Sequence, residues 1–200
     1  MRDLTTFILA GGKSTRMGEE KAFLKLGKRL LIDHAIMMAR PLECDIFIIG
    51  DKEKFGAYGR VVKDVFPDCG PLGGIHAALN RSETPLNLML AVDTPFIRSE
   101  YLFQLVEEAR HNNSMVTVTK TTDGLQPLCA VYRKEFKDIA ETALTAGRMK
   151  IDRLFSKGTV IFDSRRLGYD PKMFENLNTK EAYERAVKML GHPRVEVAGR

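Results

Sequence analysis

Thr5-Thr6-Phe7-Ile8-Leu9-Ala10-Gly11-Gly12-Lys13-Ser14-Thr15-Arg16-Met17-Gly18-Glu19-Glu20-Lys21 begins as a short apolar and β-branched run, stops at two glycines and continues as a polar, cationic segment. An apolar run of that length, ended by glycine, is the pattern of a strand buried on both faces, which belongs in a parallel sheet covered by helices. Small residues at the strand's end let backbone approach a ligand closely, and Lys13, Arg16 and Lys21 bring positive charge to the same place. Arg grips phosphate oxygens as a fork and Lys follows them as a point charge, so the loop suits a chain of phosphates. Two other phosphate motifs are excluded. Gly12-Lys13-Ser14 imitates the end of a Walker A loop, but glycine is needed five residues earlier, where Phe7 stands, and G-x-G-x-x-G does not occur.

Working outward, the patterning predicts strands at 5–10, 45–50, 60–63, 86–92, 115–119, 127–132 and 159–163. It predicts helices at 30–39, 73–80 (entered through Pro71), 99–111, 135–146, 150–157 and 179–190. Ser99 has Leu102 three places on, so only half a capping box opens that helix. Strands alternating with helices throughout imply an α/β fold in three αβα layers around a mostly parallel central sheet, with ligands at the carboxyl ends of the strands. No Pro-, Gly- or Ser-rich linker, repeat or low-complexity tract divides the chain, so one domain over 1–200 is expected, with 191–200 as a flexible tail.

Composition narrows the function classes. The chain has 200 residues, 44% hydrophobic and 28% charged, which is ordinary globular usage. No apolar run reaches the roughly 18 to 20 residues of a membrane span, and the start lacks the apolar length of an export signal, so a cytoplasmic protein without membrane partners is expected. Cys44, Cys69 and Cys129 are isolated and suggest neither disulfides nor zinc. The net charge of +5 is concentrated: residues 13–29 hold six Lys or Arg against Glu19 and Glu20, a local +4. One compact basic loop fits a small polyanion better than a nucleic acid. His34, His76, His111 and His192 show no metal spacing and no Ser or Cys partner, and Met37, Met38 and Met89 are core fillers.

The L-A-G-G-x-S-x-R-M-G-x-x-K pattern of residues 9–21 resembles the nucleotide-binding signature of the molybdenum cofactor guanylyltransferases, within the larger group of NTP transferases. Val62-Lys63-Asp64, Gly70-Pro71-Leu72-Gly73-Gly74-Ile75, Asp93-Thr94-Pro95 and Asn176-Leu177-Asn178-Thr179 follow in that family's order, so the resemblance runs from residue 4 to about 187. It implies a Rossmann-like nucleotidyltransferase fold. The Gly-Gly pair and the Gly-Pro-Leu-Gly-Gly segment favour guanine over the related cytidylyltransferases, which usually show Leu-Ala-Ala-Gly.

The resemblance assigns roles residue by residue. Backbone of Leu9, Ala10, Gly11 and Gly12 reads the guanine, Lys21 meets the phosphates and Arg16 helps neutralise the leaving pyrophosphate; the alternative is a glycine turn with solvated lysines. Lys13, Lys25, Lys28 and Arg29 have weaker claims, and most of them are expected to face solvent. Asp93 follows a buried strand, where its carboxylate suits Mg²⁺, although Asp before Thr-Pro is also a turn residue. Asp64 plays a second nucleotide-binding role in the family; on its own it reads equally as a solvated loop residue. Pro71, Leu72 and Gly73 can lie against base or ribose before a helix, or be a plain Pro-Gly turn. For the second substrate the candidates are Gln126, Asn176 and Asn178, with Arg148 and Lys150 weaker still. Asn178 has the look of a helix cap with Glu181, which makes Asn176 the better functional choice. One departure is that Gly50-Asp51 replaces the Asn that usually follows the second strand, which removes one ribose or base contact.

The implied reaction is transfer of GMP from GTP to the phosphate of molybdopterin, with release of pyrophosphate. A phosphate monoester, with a second pKa of roughly 6, is largely dianionic at neutral pH and needs no general base. Transient contact with cofactor-biosynthesis or acceptor proteins would follow. The competing readings are a cytidylyltransferase, a sugar- or polyol-phosphate nucleotidyltransferase, or a noncatalytic GTP- and pterin-binding module.

Overall fold

The computed structural model describes residues 2–11, 20–156 and 158–191. The chain begins with β1 (Leu4–Leu9). After residues outside the described set come a small hairpin of β2 (Lys25–Leu26) and β3 (Arg29–Leu30), then α1 (Leu31–Ala39), β4 (Asp45–Ile49), α2 (Lys52–Phe55), β5 (Arg60–Val62) and α3 (Gly70–Arg81). β6 (Leu86–Ala91), α4 (Ser99–His111), β7 (Val116–Thr121), β8 (Gly124–Arg133), α5 (Phe136–Thr145), β9 (Val160–Asp163) and α6 (Lys180–Gly191) complete it.

Seven strands form one sheet in the order β5-β4-β1-β6-β8-β7-β9. All neighbours are parallel except where β8 runs against β6 and β7. Side chains leave the strands alternately. Leu4 and Ile8 of β1 with Leu86, Leu88 and Leu90 of β6 pack under α1, α4 and α6, whereas Phe7, Leu9 and Met89 pack under α3 and α5. The expected three-layer architecture therefore stands, and each fully buried Leu, Ile or Phe in those layers is worth about 1.5–3 kcal/mol.

Three expectations are corrected. The alternation of strand and helix breaks after β7: Thr121 pairs with Gly124, and two residues between them leave no room for a crossover, so β8 must turn back antiparallel. Gly124 sits at φ +113°, a conformation that L side chains rarely adopt, and Asp123-Gly124 was the turn signal in the sequence. The helix expected at 150–157 contracts to one 3₁₀ turn, Ile151–Leu154. The helix expected to start at Gly73 begins at Gly70, which puts Pro71, Leu72 and Gly73 in its first turn rather than in a loop before it. Ser99 does not cap α4; its hydroxyl donates to the Met38 carbonyl at the end of α1. Residues 192–200, most of the expected tail, lie outside the described set, and Gly191 ends α6.

Candidate active site

The strand order reverses at β1, with β4 and β5 to one side and β6 to the other, and the crevice beyond the carboxyl ends of two such strands is where open α/β sheets hold ligands. β1 delivers Ala10 and Gly11 to that crevice, and β6 delivers Val92 and Asp93. The end of β1 is locked from both sides. Ala10 and Gly11 both donate their N–H groups to the Ile49 carbonyl, at 3.1 Å each, and the Leu9 carbonyl accepts from Val92 N–H at 3.2 Å. Those three groups are committed to the sheet, so any reading of a base by this backbone uses its other groups. Gly12 and Arg16 lie outside the described residues, as does Lys13.

Beyond those residues the chain returns at Lys21, which opens a single 3₁₀ turn. Its ammonium stands 3.4 Å from Asp93 Oδ2 and donates to Asn178 Oδ1. Both side chains of the ion pair are about four-fifths buried. Asp93 is presented by a turn in which the buried Thr94 hydroxyl donates to the Ala91 carbonyl at 3.1 Å. Its own carbonyl accepts Leu177 N–H at 2.9 Å, tying the Asn176–Asn178 segment to the end of β6. Three segments far apart in sequence thus meet on one ammonium and one carboxylate.

Asn178 takes the place the sequence offered to Asn176. Capping of α6 falls to Thr179, whose Oγ1 accepts Ala182 N–H at 3.2 Å, leaving the Asn178 amide oxygen for Lys21. The shift of one residue between two adjacent capping types is what hid this.

Asp64 follows β5 and is neither solvated nor loose. Oδ1 accepts Phe66 N–H at 2.9 Å, and the carboxylate lies over Gly73, where an added Cβ would come within 2.9 Å of Oδ2 and 2.7 Å of the Phe66 carbonyl. Burial pushes its pKa above the usual carboxylate value, with His76 pulling the other way. Gly74 is equally constrained, since a Cβ there would stand 2.8 Å from Leu9 Cδ2. The first turn of α3 is therefore pressed against β1 and Asp64 together. Pro71 is exposed, whereas Leu72 and Gly73 are buried.

Gln126 lies near the start of β8. The last paired residues of β6 and β8 are Leu90 and Cys129, and three residues further along each chain lie Asp93 and Gln126, so both belong to the carboxyl edge of β6. The Gln126 amide donates to Thr121 Oγ1 at 3.1 Å. Lys25, Lys28, Arg29, Arg148 and Lys150 are exposed, as expected of most of the peripheral cations.

Sequence reasoning missed one contact at the loop's far end. Lys54 of α2 pairs with Glu20 at 2.5 Å, so the residue before Lys21 is tied to the β4–α2 connection that also holds Gly11. The i,i+34 separation leaves no local signal for it. Among the described residues no cluster of three His, Cys, Asp or Glu could cage a metal, and no helix is long and apolar enough to cross a membrane.

A family model described as the MobA-like NTP transferase domain matches residues 6–159. The chain is 36% identical over 192 residues to a probable molybdenum cofactor guanylyltransferase of Clostridium perfringens (strain 13 / Type A), covering 90% of this chain and 94% of the relative. To the molybdenum cofactor guanylyltransferase of Desulfosudis oleivorans it is 33% identical over 202 residues, covering 98% and 100%. The crystal structure of molybdopterin-guanine dinucleotide biosynthesis protein A from Archaeoglobus fulgidus superposes with a TM-score of 0.82 at 26% identity, over 94% of this chain and 98% of that one. With its sheet, its switch-point crevice and these matches in agreement, the chain belongs to the family of MobA-like NTP transferase domains.

Proposed function

We propose that this protein transfers GMP from GTP to the terminal phosphate of molybdopterin, releasing pyrophosphate and forming the guanine dinucleotide cofactor. The observation that carries the reading is the meeting of Lys21, Asp93 and Asn178 at the reversal point of the sheet. The relatives' names supply the substrates.

In this reading, a phosphate oxygen of molybdopterin forms a bond to the α-phosphorus of GTP, and the bond from that phosphorus to the bridging oxygen of the β-phosphate breaks. The bridging oxygen departs with pyrophosphate. The attacking monoester is already dianionic at neutral pH, so the protein's task is alignment and charge neutralisation rather than proton removal. Lys21 is suited to the second task because Asp93 and Asn178 hold its ammonium in place before the nucleotide arrives, which removes the cost of ordering a long side chain during reaction. Arg16 adds charge on the pyrophosphate side. Leu9, Ala10, Gly11, Gly12, Asp64, Pro71, Leu72 and Gly73 line the nucleoside, and Gln126, Asn176 and Asn178 face the second substrate.

One carboxylate with an amide oxygen nearby does not make a dedicated metal cage. It does fit Mg²⁺, which commonly takes one or two carboxylates and fills its octahedron with water and phosphate oxygens, so Asp93 is the residue that would hold it. When bound, such an ion neutralises phosphate charge and fixes phosphate geometry.

The test is incubation of the purified protein with molybdopterin, Mg²⁺ and each of GTP, CTP and ATP, with the product identified by mass. The guanine dinucleotide and one pyrophosphate per turnover are expected from GTP alone. A cytosine product, transfer to a sugar phosphate in place of the pterin, or tight GTP binding without pyrophosphate release would each replace the reading.

A further inference from the structure

His76 is a buried titratable group that the reaction above leaves unused. It lies on α3 one turn beyond Gly73, on the same helix face, with its side chain 5% exposed. Nε2 stands 3.7 Å from Glu141 Oε2 on α5, and Nδ1 has no hydrogen-bond partner among the described residues. The Phe66 ring meets the imidazole edge-on, with centroids 4.9 Å apart and planes at 83°. Phe66 also supplies the N–H that holds Asp64 Oδ1. The turn carrying Asp64 is thus seated on the imidazole at one end and on Gly73 at the other.

An orphaned buried ring nitrogen is uncommon and calls for an explanation. Asp64 provides one. Its carboxylate is partly buried, which favours the neutral acid, and the opposing influence of His76 keeps it ionised. The charged groups that face the imidazole are Asp64, from the turn after β5, and Glu141, from α5.

We propose that His76 is a positioning residue for nucleotide binding: the imidazolium, held from behind by Glu141, fixes the Asp64 turn against α3 and keeps the Asp64 carboxylate charged toward the nucleotide. The proposal rests on the reading of Asp64 as a nucleotide contact. Histidine exchanges its charge between about pH 5 and 8, so the support is present at the acidic end of that range and is lost as pH rises.

The experiment measures KM for GTP and kcat at pH 6 and pH 8, with molybdopterin and Mg²⁺, and expresses each variant as a ratio to wild type at the same pH, which cancels titration of the substrates. For His76→Gln, a KM ratio of about fivefold at pH 6 falling to near unity at pH 8 is expected, with kcat unchanged. Glu141→Gln, which alters only the half-exposed end of the pair and leaves the core intact, should raise KM at pH 6 in the same direction by a smaller factor. Asp64→Asn should raise KM at both pH values, and adding His76→Gln to it should do nothing more. A His76→Gln ratio that is the same at both pH values, or a loss that falls on kcat, would overturn the proposal. So would additivity of the double variant. An Asp64→Asn variant with normal KM would instead overturn the underlying assignment of Asp64.

Discussion

From β5 to β6 the sheet is wholly parallel, and its loops are brought together by backbone against backbone or backbone against ring. Gly73 lies under Asp64, Gly74 under Leu9, and an added Cβ on Gly50 would meet the Phe55 ring at 2.7 Å. From β6 to β9 the directions alternate around β8, and side-chain hydroxyls do the joining. The Tyr101 hydroxyl donates to Thr119 Oγ1, Thr119 Oγ1 to Cys129 Sγ, and the Ser164 hydroxyl to the Lys120 carbonyl. The first half spends its precision on shaping an opening at the strand ends. The second builds a packed wall beside it, in which the Tyr101 ring meets Tyr169 and Phe174 edge-on at 5.0 Å. Changes in the parallel half should therefore strike nucleotide handling, and changes in the mixed half should strike stability alone.

The largest separation is expected from Asp93→Ala, at the boundary between the two. Loss of about 10³-fold or more in Mg²⁺-dependent pyrophosphate release should accompany a nearly unchanged melting temperature, measured by circular dichroism on the same sample. Gly73→Ala comes next. Its Cβ would press on the Phe66 carbonyl and on Asp64, so KM for GTP should rise while urea unfolding shows a loss of about 1–3 kcal/mol. Gly124→Ala tests the other half. The φ of +113° makes it strained for any side chain, and a loss of about 1 kcal/mol or more should appear in the same unfolding assay with KM for GTP unmoved. A rise in KM there would break the division of labour.

The smallest effect is chemical. Burial pushes the Cys129 thiol up to about 12, so it should resist iodoacetamide at pH 8 in the folded protein and react once the protein is unfolded. Peptide mapping after brief alkylation reads this directly.

The parallel half was legible in the sequence because its signals are local and redundant. Continuous apolar runs such as Leu4–Leu9 and Leu86–Ala91 are ended by glycine or by Asp-Thr-Pro, and both strands are buried throughout. Lys21 and Asp93 could be named from those ends alone. The mixed half was less legible because β7, Val-Thr-Val-Thr-Lys-Thr, also reads as a strand of a parallel unit; only Asp123-Gly124 distinguishes a hairpin. The Asn176–Thr179 segment misled for a different reason. Asn and Thr cap helices almost equally well, and the choice of Thr179 depends on the Lys21 ammonium, which is 157 residues away from Asn178. The Lys54–Glu20 pair and the His76–Asp64 pairing are likewise products of tertiary packing, with no periodic trace.

The central claim is that the cationic loop after β1 and the carboxylate at the end of β6 act on one bound nucleotide. Affinity for GTP, measured calorimetrically with and without Mg²⁺ on wild type, Lys21→Met and Asp93→Asn, tests it most directly. The account predicts that Lys21→Met weakens GTP under both conditions, whereas Asp93→Asn loses only the strengthening that Mg²⁺ provides. Full Mg²⁺ enhancement in Asp93→Asn, or undiminished GTP affinity in Lys21→Met, would contradict it.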